Sequence, residues 1–301
     1  PTVTGFLALK RTRATNIGRR LQVSAALAYA RLLSRPLVTL SRRCPAGSEL
    51  FQQCPNLYRG LLGPYVDARL SLPTRIRVIA REVQEVVTRL QQAGHGAASV
   101  HQPHTLWRLA EGDWRVDLQV NTASPHEGLW LLALKAGDDT VVYSLSFACM
   151  GHALWIGAVQ GPKGEGALAR VRDATKALHG LRPHFFLVEV LRALAQAWGR
   201  VEVQGVDARH HPQPSGLWRR RDGVKFDYAG FWRELGGVQA PSQRWRLPMA
   251  APRKALDDIE SKKRAMYRRR FAMLDAMTRE IAVRFSAPTS GTPADRPCPG
   301  A

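Results

Sequence analysis

HTLWRLAEGDWRVDLQVNTASPHEGLWLLALKAGDDTVVYSLSFACMGHALWIGAVQ, residues 104–160, is the stretch whose reading decides the fold. Short runs rich in Val, Leu, Trp and Tyr alternate with Glu111-Gly112-Asp113, Ser124-Pro125-His126-Glu127-Gly128, Ala136-Gly137-Asp138-Asp139 and Met150-Gly151. Residues of those types supply turns, and their recurrence at about ten-residue intervals predicts an antiparallel meander of five strands. Trp107, Trp114, Trp130 and Trp155 stand in it among Val116, Leu118, Leu132, Val142, Leu145, Phe147 and Ile156. Side chains of that size are read as the core.

On the C-terminal side, Gln160-Gly161-Pro162-Lys163-Gly164-Glu165-Gly166 leads from the last strand into a helix from about Ala167 to His179. A second helix, Phe185 to Trp198, follows the break at Arg182-Pro183, and Arg200 to Asp207 is strand-like again. Residues 208–252 read as loop with a helical patch at Phe231 to Leu235. On the N-terminal side, Ile76, Ile79, Val83, Val86, Val87 and Leu90 recur at helical steps from Thr74 to Ala93, and Gly94 and Gly96 stop that helix. The Pro-, Gly- and Cys-punctuated stretch Ser41 to Pro64 reads as irregular structure or a linker. The tail from Ala287 to Ala301, dense in Pro, Ser, Thr and Gly, is expected to be disordered. No internal repeat is evident. The expected fold is α+β: N-terminal helices, a mostly antiparallel sheet carrying the glycine loop and a helix pair, and a basic C-terminal helix.

That last helix carries the densest charge. Leu256, Ile259, Met266, Tyr267, Phe271, Leu274, Met277, Ile281 and Phe285 recur on one helical face, and Ser261-Lys-Lys-Arg-Ala-Met-Tyr-Arg-Arg-Arg270 adds six cations without an acid. Lys262, Arg264, Arg268 and Arg269 fall off the apolar stripe; Lys263 and Arg270 fall on it. Charge on a buried face needs a partner, so these two call for internal carboxylates or an anionic ligand. The bland alternative is a solvated basic helix with two snorkelling side chains.

Forty-four Lys and Arg against 24 Asp and Glu give a formal charge of +20 in 301 residues. Such an excess favours nucleic acid, anionic lipid or an acidic small molecule as partner, without choosing among them. Residues 1–48 contain no acid at all, a basic arm with the composition of a transit peptide or an interfacial helix. The chain begins at Pro1, so an upstream signal remains an open reading. No stretch approaches the roughly 20 apolar residues of a membrane span. Cys44, Cys54, Cys149 and Cys298 form no Cys-x-x-Cys pair, which suits reduced thiols in a cytoplasmic protein.

Three places could carry chemistry. Gly161, Gly164 and Gly166 would let backbone amides approach a phosphate at a helix start, with Lys163 adding charge. The loop is neither a Walker A loop nor a dinucleotide fingerprint. It is similar to the pyrophosphate loop of acyl-CoA transferases of the GNAT class, although Gln160 lies four residues before Gly164 where that pattern has three. A tight turn is the plain alternative. His179, in the last turn before Gly180, could act as an acid or base or simply cap the helix. Asp207, His210 and His211 follow a strand end, where a general base is plausible. Neither His210-His211 nor His95, His101 and His104 has a recognised metal-ligand spacing, and no Gly-x-Ser-x-Gly elbow occurs.

Taken together, Gln160 to Gly164, Lys176 to Pro183, Asp227-Tyr228 through Phe231-Trp232 to Glu234-Leu235-Gly236-Gly237, and Ser261 to Arg270 resemble the VirK/YbjX family of bacterial proteins over roughly residues 61–285. The resemblance implies a non-housekeeping protein tied to virulence, resistance to cationic antimicrobial peptides, envelope stress and, in some members, DNA-damage responses. Asp207-Ala-Arg-His-His and the insert Pro212 to Pro214 depart from the family pattern. The arm and the tail lie outside it.

The resulting expectation is a cytoplasmic protein, peripheral to the inner membrane in one version, that holds an anionic ligand between the glycine loop and the basic helix. As an acyl- or aminoacyl-transferase-like envelope modifier it would use Gln160, Gly161, Lys163, Gly164 and Arg182 around an acyl-CoA or other phosphate-bearing ligand. Lys263, Arg268 and Arg270 would neutralise the phosphate, and His179 or His210 with Asp207 would take a proton. The rivals are a non-enzymatic nucleic-acid binder, in which the arm and Lys262 to Arg270 contact phosphates and aromatics such as Trp218 stack on bases, and a membrane-surface adaptor using the arm.

Overall fold

The computed structural model describes residues 35–110, 112–212 and 226–285. Expectations placed on residues 1–34, on Trp218 and on the tail from Ala287 lie outside them. Among the described residues four α-helices precede the sheet: α1 (Arg35–Arg43), α2 (Pro45–Gln53), α3 (Tyr58–Leu62) and α4 (Leu72–Gln92). Residues 41–64 are therefore largely helical and not a linker. Pro45 and Pro55 stand in the first turns of helices, where a missing N–H costs nothing. Leu50, Phe51, Leu57 and Leu61 are buried in the same core as the sheet, as are Leu40 and Ala46 from the arm.

The sheet has eight strands in the order β1-β2-β3-β4-β5-β6-β8-β7, so the fold is α+β. The predicted meander is β1 (His104–Arg108), β2 (Arg115–Val120), β3 (Trp130–Lys135), β4 (Val141–Met150) and β5 (Ala153–Gln160), each antiparallel to the next. Burial runs unbroken from Leu145 to Cys149 on β4, the mark of a strand covered on both faces. After β5 come α5 (Ala167–Ala177), α6 (Pro183–Ala197) and β6 (Glu202–Gly205), which returns parallel to β5. The last elements are α7 (Tyr228–Glu234), β7 (Val238–Gln239), β8 (Trp245–Leu247) and α8 (Ser261–Phe285). The hairpin β7-β8 falls in the region read as loop, because strands of two and three residues leave no period to detect.

Two features of this frame position the site. β5 carries a bulge: Phe147 of β4 faces Ile156 and Ser146 faces Ala158, which leaves Gly157 without a partner. β6 pairs with β5 only from Ala153 to Ile156, and Val206 N–H to Ile156 C=O at 3.1 Å is the final bond. Beyond it the two strands part. Residues 157–160 have β4 on one side and no strand partner on the other, a wedge between β5 and β6.

A second feature lies under β4. Glu82 of α4 is fully buried, accepts the Cys149 N–H at 2.9 Å and hydrogen-bonds the Tyr65 hydroxyl. Among the described residues no cation pairs with it, and burial lifts its carboxyl to about 8.

Candidate functional site

The carboxyl ends of β5 and β6 gather side chains from six separate segments. The Val159 N–H donates to the Tyr228 hydroxyl at 3.3 Å, so the first residue of α7 fills the wedge left by the departing strand. Tyr228 is buried, and its hydroxyl lies 3.4 Å from His211 Nε2. Gln160 at the end of β5 donates to Glu127 Oε2 at 2.5 Å. The turn Pro125–Glu127 reaches β5 only because residue 157 is glycine; a Cβ there would overlap the Glu127 carbonyl oxygen. Gly161 packs on Tyr143, with room for no Cβ nearer than 2.9 Å to the ring. His184, in the first turn of α6, lies among Tyr143, Phe185, Phe226 and Phe231.

Three imidazoles here are held neutral. Burial lowers His126, His184 and His211 to about 4, assisted by Arg59, Arg182 and His126 respectively. The Nδ1 atoms of His184 and His211 are buried without a hydrogen-bond partner among the described residues, which leaves each ring a polar position inside the cluster. Burial also raises the Tyr228 hydroxyl, so it stays protonated as a donor or acceptor. Tyr228→Phe would orphan the Val159 N–H in the wedge and is expected to cost about 1–3 kcal/mol. Urea unfolding of the variant measures it; an unchanged midpoint would mean that the N–H finds water instead.

Asp207 and His210 sit at the rim, in a device that reading along the chain missed. Val66-Asp-Ala-Arg69 and Val206-Asp-Ala-Arg209 are identical, and although Val66 alone has a left-handed backbone (φ 56°), the Asp–Arg contact is the same in both. In each, the Asp Oδ1 accepts the N–H of the Arg two residues on, at 2.9 Å, and the same guanidinium returns to both carboxylate oxygens. The turns are joined by the Ala68 N–H to His210 C=O bond at 2.9 Å. Both grip the hairpin: Arg69 donates to Ser242 C=O, Asp67 accepts from Arg244, Asp207 from Gln239, and His210 Nε2 meets Gln243 Oε1 at 2.6 Å. Arg244 lies 3.5 Å over the Trp155 ring. Hydrogen bonds from Arg209 hold Asp207 below the ordinary carboxylate range. With both oxygens occupied, Asp207 is an anchor rather than a base. Four residues are too short a repeat to notice without the geometry.

The other predicted residues lie elsewhere. Lys163 and Gly164 are exposed in the glycine loop at the start of α5. His179 follows the other end of α5, about 16 Å away at the helical rise. His179 (φ 50°) and Gly180 (φ 76°) are both left-handed, and the His179 C=O accepts from Arg270 Nε at 3.1 Å and Nη2 at 2.8 Å. Arg270 thus finds its partner in a backbone carbonyl. Lys263, which the periodicity places on the buried stripe, is half exposed and pairs with Glu260 at 3.2 Å. Within α8 the stripe is fully buried only from Met273 onward; Met266, Tyr267 and Phe271 before it are partly buried. Arg268 is exposed. Arg182 pairs with Glu234 and lies 4.3 Å over the Phe185 ring, at the edge of the aromatic cluster. The glycine loop and the basic helix are two places, not the walls of one.

Among the described residues no group of three or more His, Cys, Asp or Glu is disposed around a metal, and no helix is long and apolar enough to cross a membrane. Cys44, Cys54 and Cys149 are buried free thiols.

Against known proteins, the family model described as "Protein of unknown function (DUF535)" matches residues 15–283. The chain belongs to this family. An uncharacterized protein of Haemophilus influenzae is 34% identical over 222 residues, covering 73% of this chain and 75% of its own. The uncharacterized protein YbjX of Escherichia coli K12 is 38% identical over 165 residues, half of each chain, in line with the VirK/YbjX motifs. The membrane protein LapB of Mannheimia haemolytica is 29% identical over 169 residues, 54% of this chain and 71% of its own. The DUF535 match runs through the sheet, both Val-Asp-Ala-Arg turns and most of α8.

Proposed function

We propose that this DUF535 protein is an acyl- or aminoacyl-transferase-like modifier acting in bacterial envelope stress and virulence, with a phosphate-bearing acyl donor entering the wedge between β5 and β6. The observation that carries the reading is the parting of two parallel strands beneath a strand-loop-helix connection. Parallel strands that separate at their carboxyl ends leave a crevice in which ligands collect. The amides of residues 164–166 at the start of α5, with Lys163, suit a phosphate. A GNAT-like reading of the strand, glycine loop and helix that follow β5 is an analogy of element order and no more.

In this reading the Val159 N–H, released from Tyr228 as the donor enters, hydrogen-bonds the acyl carbonyl. Tyr228 then supplies a second hydrogen bond from its protonated hydroxyl. His211 Nδ1 orients the acceptor amine or hydroxyl. An imidazole near 4 is too weak a base to hold a proton at neutral pH, so its role is positional. The apolar rings around His184 receive the acyl chain.

Calorimetric titration with acetyl-CoA and palmitoyl-CoA tests this. Binding is expected for at least one, and Lys163→Glu should weaken it by about tenfold or more through like-charge repulsion at the phosphate, with an unchanged melting temperature. If neither compound binds the wild-type chain, the wedge is not an acyl-CoA site. That LapB is called a membrane protein supports an envelope setting here.

A further inference from the structure

The basic half of α8 takes no part in the wedge, and its charge is placed where folding stability disfavours it. Between Arg253 and Ala272 stand eight cations and three acids. The first turn of α8 holds no acid, although the N-terminal end of a helix carries positive partial charge and repels cations. Internal contacts account for only part of this charge. Arg264 is used on the carbonyls of Ile259 and Asp257, and Arg270 on that of His179. Lys262 and Lys263 share the single carboxylate of Glu260. Arg268 and Arg269 are exposed and make no ion pair among the described residues.

The shape of this element narrows the choice of partner. No residue of α8 before Met273 is buried, so the first twelve residues form a rod about 18 Å long. It is held at one side, where Met266 and Arg270 touch Gly180. At 100° per residue, Lys263, Arg268, Arg269 and Lys262, all exposed, are spread over about 260° of its circumference on the side away from Gly180. A flat bilayer meets one side of a rod and would leave some of these cations unused. Nor is there a free apolar face to insert: Met266 lies against Gly180, Tyr267 under Arg270 and Phe271 under Arg253, all three partly buried, and Met273, Leu274, Met277 and Ile281 are turned into the core. Phosphates on both flanks of a groove would engage all four. The major groove of B-form DNA, about 12 Å wide, admits a helix of that diameter, whereas the A-form major groove is too narrow.

We infer that residues 261–272 are a DNA-binding helix, which enters the major groove of duplex DNA and binds chiefly through phosphates. The inference stands independently of the acyl-transfer reading. Its test is fluorescence anisotropy of a labelled 20-base-pair duplex of mixed sequence, with the full chain, over a series of salt concentrations. Lys262→Ala, Lys263→Ala, Arg268→Ala and Arg269→Ala combined should weaken binding about 100-fold at 100 mM salt and reduce the salt slope by about 3 to 4, at about 0.9 per phosphate contact. The same variant should melt no lower than wild type, because adverse charges leave the start of the helix, so lost binding would not reflect lost folding. Unchanged duplex affinity in the variant overturns the inference, since the binding would then lie elsewhere in the chain. Tighter binding of an RNA hairpin than of the duplex overturns the groove assignment. Binding of 30% phosphatidylglycerol vesicles that the variant loses while its duplex affinity stays unchanged would assign the helix to a membrane surface instead.

Discussion

Stability is expected to peak near pH 6.5 and to fall on both sides, more steeply towards acid. Glu82 sets the alkaline limb: its folded pKa of about 8 lies above its ordinary 4.5, so the stability it contributes is complete below 4.5 and lost as pH rises to 8. His126, His184 and His211 have the opposite sign. Their folded values of about 4 lie below 6.5, so their contribution is complete above 6.5 and lost as pH falls to 4. Each such group changes stability by at most about 1.4 kcal/mol per pH unit in its window. Above 6.5 only Glu82 of these four acts. Below it three histidines oppose one carboxyl, and with His184 discounted for its partial exposure the net acid slope is about 2 kcal/mol per pH unit. Urea melts from pH 4.5 to 8.5 would trace the curve. Glu82→Gln should abolish the alkaline limb, and His126→Asn with His211→Asn should flatten the acid limb. Asp67, Asp117 and Asp207, whose ion pairs hold them low, act only below about 3.8. A wild-type curve that rises steadily from pH 5 to 8 would contradict the assignment of Glu82.

Among the described glycines, Gly157→Ala is expected to be the most damaging substitution by alanine. The added carbon would overlap the Glu127 carbonyl, a backbone atom that cannot rotate away. The turn Pro125–Glu127 must then lift off β5, which strains the bulge and withdraws His126 and Glu127 from the wedge together. Overpacking of this kind costs about 3 kcal/mol. Gly96→Ala provides the control, since nothing lies within 4 Å of its Cβ and its φ is ordinary. Thermal melts of the two variants should separate clearly. Equal melting temperatures would show that the turn yields at little cost. Ligand titration of Gly157→Ala at a temperature where it remains folded should also show weakened binding, because the turn carries part of the site.

The meander, the helix pair and the glycine loop are legible in the residues because alternation, turn residues and helical spacing are local. Two kinds of information are not. Pro45 and Pro55 look like interruptions, yet each begins a helix, because the same ring that breaks a helix interior suits its first turn. Lys263 looks buried because spacing marks a face without saying whether anything packs on it. The site suffers most from this limit. Asp207, His210, Gln160 and Gly161 are found at the wedge or its rim, since each adjoins the end of a strand. His126, Glu127, His184 and Tyr228 arrive from a turn and two helix starts far apart in the chain, and only folding places them around β5. His211, beside His210, attracts notice for its pairing with a neighbour, whereas its structural partner is Tyr228.

The twin turns impose an order on synthesis. Asp67 is almost wholly enclosed, yet its partner Arg244 follows 177 residues later. While the ribosome is still making the sheet, the helices around α3 and α4 cannot close over Asp67 with Arg244 in place. Arg69 can hold one side of it early, as a local contact. Closure of the other side waits for the hairpin, a contact of very long sequence separation and therefore slow to form. A chain halted before residue 244 would carry a carboxylate short of one cation, together with an uncovered Trp155. The final fifth of the polypeptide thus serves as the latch by which a nascent chain becomes a finished one.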